Sequence, residues 1–174
     1  AAELSSDAAV HADAAEAALA ATEVAHTTIV RAKKTASAVA EHAISERQAI
    51  NSASARAESA VDQARTWSEL ARVTAREAEE AAEACARPEG IQAGKRAADA
   101  ADQGERAFAE AEKARDRAVS ATESKQADTE ATFAERAAKQ AEAASEQATR
   151  ARDKAREVAA AEAQEAAALS EAHE

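Results

Sequence analysis

One proline, three glycines, one cysteine, one tryptophan, two phenylalanines and neither tyrosine nor methionine occur in 174 residues. Each scarcity excludes something. With proline and glycine so rare, a long helix has almost nowhere that it must stop and can reverse. A single cysteine rules out an internal disulfide and leaves the redox compartment open. No apolar run approaches the about 18 residues of a membrane span, and no signal peptide is recognisable in the chain as given. A processed ectodomain would have lost both its leader and any lipid-anchor tail. Positive charge is also in deficit: the net charge of -11 and a pI near 4.9, with no compensating basic stripe, argue against a nucleic-acid partner. The only asparagine, Asn51, precedes Ser52 and Ala53 and is no N-glycosylation acceptor. There is no G-x-G-x-x-G, G-x-S-x-G or H-E-x-x-H, which leaves no phosphate cradle or nucleophile elbow to argue from.

What is present is alanine, roughly a third of the chain, with glutamate, lysine and arginine. Without alanine, the 46% hydrophobic content shrinks: Leu, Ile, Val and Phe supply about a tenth of the residues, below the roughly 20% at which high net charge signals disorder. Helix propensity overrides that signal, because alanine is the best helix former and Glu, Lys, Arg and Gln follow closely.

Pro88 lies within Arg87, Pro88, Glu89, Gly90 and Gly94 near the midpoint. The expected fold is therefore all-α: a single elongated helical domain over 1–174, with helix one at about 6–86, a turn with an exposed tip at 87–94, and an antiparallel helix two at about 95–172. Helix one would be on the order of 120 Å long. An apolar stripe at steps of three, four or seven runs through Ala12, Ala15, Leu19, Thr22, His26 and Ile29, then on through Ala57, Val61, Ala64 and Ala71 to Cys85. Helix two repeats it through Ala97, Ala101, Gly104, Phe108 and Ala111 to Ala121. Ser124 and Asp128 then interrupt the stripe. This predicts either a break at 122–130, with a third helical segment restarting at the capping box of Thr132 and Glu135, or a continuous helix with a polar core layer. Small side chains let helices approach closely but bury little, so something more must cover the stripe. A third segment folding back, or a second copy completing a four-helix bundle, would do so.

The remaining candidates are few. His11, His26, His42 and His173 form no cluster with metal-ligand spacing, although a hairpin would put His11 and His173 near one end. Cys85 reads as a small buried hydrophobe at the end of helix one, with an intermolecular disulfide as the alternative. Trp67, near Leu70 and Val73, reads as core packing. Carboxylates at both termini, among them Glu16, Glu23, Glu162, Glu165 and Glu174, would gather at the open end of a hairpin, with Arg87, Lys95 and Arg96 flanking the turn. Glu146 with Arg150 is one of several solubilising pairs at four-residue spacing. No catalytic residue, cofactor, metal or small-molecule substrate is expected, because narrow alanine seams leave no room for a pocket.

An alanine- and glutamate-rich chain with two long helical halves, almost no aromatics and no enzyme motif resembles the glutamic acid/alanine-rich surface protein of African trypanosomes. The resemblance covers the whole chain and is compositional and architectural. It implies an extended bundle similar to the helical core of the variant surface glycoproteins, held on the outer face of the plasma membrane by a glycosylphosphatidylinositol anchor C-terminal to Glu174. The function it implies is that of a non-enzymatic coat protein, a membrane-attached spacer or shield. A cytoplasmic or bacterial coiled-coil scaffold is the alternative, since nothing in the stripe distinguishes the inside of a cell from the outside.

Overall fold

A computed structural model describes residues 2–171, with side chains from residue 10 onward. They form three helices and, among the described residues, no strand: α1 (Ala2–Glu83), α2 (Pro88–Ser120) and α3 (Ser124–Glu171). The chain divides into two compact units, Ala1–Glu46 and Arg47–Glu174.

In the second unit, residues 47–83 of α1 pack with α2 and α3 as a three-helix bundle. Pairs across α1 and α2 run in opposite senses. An added Cβ on Gly90 would meet Cys85, just past the end of α1, one on Gly94 would meet Ala82, and one on Gly104 would meet Ala71. Further along, Arg65 lies over the Phe108 ring at 5.6 Å, and Ser54 Oγ donates to the Ala118 carbonyl at 3.3 Å. These helices are therefore antiparallel. Pairs across α1 and α3 advance together: Arg56 with Asp128 at 2.7 Å, Glu77 with Arg152 at 3.4 Å and Arg156 at 3.0 Å, then Arg87 with Glu165. Those two helices are parallel.

The seam is made of alanine. Among the described residues, every buried apolar side chain is an alanine except Val61, Cys85 and Val158. The main cluster joins Ala57, Val61 and Ala64 of α1 to Ala111 and Ala118 of α2 and Ala131, Ala134 and Ala141 of α3. Each contributes little area, so close approach and contact density hold the bundle together more than hydrophobic bulk does. Trp67 is half-buried against this cluster, whereas Leu70 and Val73 are exposed.

Two boundaries differ from the expected ones. The first reversal occupies residues 84–87, and Pro88, Glu89, Gly90 and Gly94 are helical. Proline at the first helical position sacrifices no hydrogen bond, because that N–H has no intrahelical partner, and its fixed φ suits the helix. Gly90 and Gly94 are buried and have no positive φ; a Cβ there would stand 2.7 Å from Cys85 Sγ and 2.8 Å from Ala82 Cβ, respectively. They are glycine for closeness, not for a turn. The second reversal is at residues 121–123, so the break falls at the start of the expected window and the third segment restarts at Ser124, not at Thr132. Thr132 sits inside α3 with its hydroxyl donating to the Asp128 carbonyl at 2.9 Å. Asp128 faces outward to Arg56, so no polar core layer forms there.

The first unit is helical throughout its described residues, and the side chains of residues 10–45 are all exposed. Val10, Leu19, Val24, Ile29, Val30, Val39 and Ile44 are among them. The hydroxyls of Thr22, Thr27 and Thr28 donate back to carbonyls one turn earlier in their own helix.

Candidate functional site

Two features in the second unit carry chemistry. The first is the reversal between α1 and α2, which the end of α3 closes. Glu162 accepts hydrogen bonds from the Ala86 amide at 3.0 Å and from the Cys85 thiol at 3.0 Å, while Arg87 pairs with Glu165. The Cys85 thiol is pushed above its ordinary pKa, mainly by its bond to Glu162 and then by burial. That same bond holds Glu162 below the usual carboxylate range, with the Ala86 amide adding to the effect. Glu165 keeps the Arg87 guanidinium firmly charged. A thiol with a raised pKa is a poor nucleophile, so this arrangement ties elements together and does not activate sulfur. Cys85 is free and buried, as a small hydrophobe would be.

Of the expected tip, Arg87 is half-buried in this clasp, Pro88 and Glu89 are exposed at the start of α2, Gly90 packs against Cys85 of the reversal and Val158 of α3, and Gly94 faces α1. Glu162 and Glu165, expected at the open end of a hairpin, are at the turn instead, because the break at 121–123 sends α3 back along α1. His11, His26 and His42 are exposed; His173 and Glu174 lie outside the described residues. No group of three potential metal ligands occurs among the described residues.

The second feature is a groove between α2 and α3. Arg96, Arg106, Lys113 and Arg117 from α2 face Arg136, Arg150 and Lys154 from α3 across it, with Gln103, Gln140 and Gln147 between them. Asp99 and Glu110 are its only acidic lining residues, so seven cationic side chains stand against two anionic ones. Three cations are partly neutralised: Arg117 lies 3.6 Å from Glu130, Arg150 3.1 Å from Glu146 and Lys154 3.0 Å from Glu157. The Glu130 Oε2 that faces Arg117 is buried and has no hydrogen-bond partner. The floor includes Ala114, Ala144 and Ala151, and Phe133 lies half-exposed at one end.

The expectation that no basic stripe exists is thereby corrected. The signal was in the sequence: residues 96, 99, 103, 106, 110, 113 and 117 follow alternating steps of three and four, as do 133, 136, 140, 143, 147, 150 and 154. This second periodicity runs beside the alanine stripe, and a reading that follows only apolar positions passes over it.

No helix of the described residues is long and apolar enough to cross a membrane. The chain matches no protein-family model, no curated protein and no solved structure.

Proposed function

We propose that this chain is a non-enzymatic structural protein, and within that class a membrane-attached spacer of a cell-surface coat. The observation that carries the structural half is the seam: close-packed alanines fill the space between helices, and the concave features beside it are open surface grooves. Catalysis needs a desolvated, shaped pocket in which a few polar groups converge. The clasp at Cys85 and Glu162 is the nearest approach to one, and it raises the thiol pKa where nucleophilic chemistry would need it lowered. The resemblance to trypanosome coat proteins supplies the other half, with attachment through a lipid anchor C-terminal to this chain.

An antibody raised against the folded chain, applied to intact cells of the source organism, tests this. Surface staining released by a phospholipase that cleaves glycosylphosphatidylinositol is the expected result. Staining seen only after permeabilisation would reject the coat and favour the second reading, a cytoplasmic or bacterial coiled-coil scaffold. That reading has its own support in the exposed Leu19, Ile29, Val39 and Ile44 of the first unit, side chains suited to pairing with another helix.

A further inference from the structure

We infer that the α2–α3 groove of one copy receives the acidic first stretch of α1 from a second copy. Between residues 1 and 30 there are five carboxylates and no lysine or arginine. Glu16, Leu19, Glu23 and Val30 follow steps of three, four and seven, so they share one helix face, and all four are exposed. That face alternates negative charge with large apolar side chains. The groove is its complement, with cationic rims above an alanine floor and with the half-exposed Phe133 at one end. None of the ion pairs among the described residues engages Arg106, Lys113 or Arg136.

Lengths agree as well. From residue 10 to residue 30 a helix rises about 30 Å, and from Arg96 to Arg117 about 32 Å. A helix laid along the groove would complete a four-helix cross-section, bury Leu19 and Val30, which the first unit leaves in water, and neutralise the groove's excess charge. Nucleic acid is a poorer occupant, because a phosphate backbone brings charge alone to the cationic rims, whereas the helix face at residues 16–30 also brings Leu19 and Val30 to the alanine floor. The inference stands whether the chain acts outside a cell or within it.

Sedimentation of the full chain over a range of concentrations tests it, together with two charge-reversed variants. One carries Glu16→Lys and Glu23→Lys, and the other Arg106→Glu and Arg136→Glu; all four positions are exposed, and circular dichroism checks that helicity is retained. The wild-type chain should form dimers or larger species that dissociate as ionic strength rises from about 0.05 to about 0.5 M. Each variant alone should associate at least about tenfold more weakly, and an equimolar mixture of the two should regain association, because each then offers the other an opposite charge. A wild-type chain that stays monomeric at every concentration would overturn the inference. So would a groove variant that associates as well as wild type, the result expected if α1 segments pair with each other, or a mixture that fails to recover.

Discussion

Gly94 and Gly104 occupy the same helix, and both are buried, yet replacement by alanine should act in opposite directions. At Gly94 the new methyl would stand 2.8 Å from Ala82 Cβ and 3.4 Å from the Ala78 carbonyl oxygen, so α1 and α2 must move apart, at a cost of about 1–3 kcal/mol. At Gly104 the nearest atoms are 3.5 to 3.8 Å away, which is ordinary contact. There the helix-propensity gain of about 0.5–1 kcal/mol should dominate. Thermal denaturation should accordingly show a lower midpoint for Gly94→Ala and a higher one for Gly104→Ala. The glycines also mark where a reading of sequence stops. Glycine beside a lone proline signals a turn, and Pro88 does mark the reversal, but the same residue type also serves close helix approach. Only the partner helix distinguishes the two uses, and the sequence does not name the partner of Gly90 or Gly94.

At the scale of the element, α3 is the part least legible in the sequence. The polar stretch from Thr122 revealed an interruption, but it carried no sign that Glu162 and Glu165 would return to the first turn. That contact follows from helix lengths and from where Ala121 leaves α2 with extended backbone. Glu162 is the α3 residue that holds the Ala86 amide and the Cys85 thiol of this turn, beside the Glu165 pair to Arg87, so Glu162→Gln should speed hydrogen exchange at the Ala86 amide and accelerate alkylation of Cys85 at a fixed pH. Stability should depend on pH in a definite sense. A carboxyl held below its ordinary range adds stability that is complete above the unfolded value of about 4.3 and is lost as pH falls through the folded one. The Cys85 contribution has the opposite sense, present below about 8.5 and lost as pH rises through the raised thiol value. Urea midpoints measured between neutral and acidic pH should therefore show the gap between wild type and Glu162→Gln closing on acidification. The alanine seam, by contrast, was readable position by position, because steps of three and four follow from helix geometry alone. Its tightness has a price: Ala134→Leu, at a site with no exposure and neighbours from the same cluster, should cost about 1–3 kcal/mol and lower the thermal midpoint.

For the molecule as a whole, charge is sorted by location. Residues 1–30 hold only carboxylates, while a chain with a net charge of -11 still gathers seven cations along one groove of its second unit. Composition averages these away, which is why the net charge argued against a basic stripe that helix periodicity builds. The ion pairs that set the register of α1 on α3 are mostly exposed, and each is worth no more than about 1 kcal/mol, so they select an alignment that the alanine seam stabilises. The central claim is that α3 turns back along α2, which brings its far end to the first reversal and sets it parallel to residues 47–83 of α1. Spin labels at the exposed positions Glu89 and Gln164, in a Cys85→Ala background, measure this directly. The three-helix bundle predicts a separation within about 20 Å, since adjacent helix axes lie about 8–10 Å apart. A continuous second helix would place the labels about 110 Å apart, beyond any dipolar signal, and that result would contradict the account.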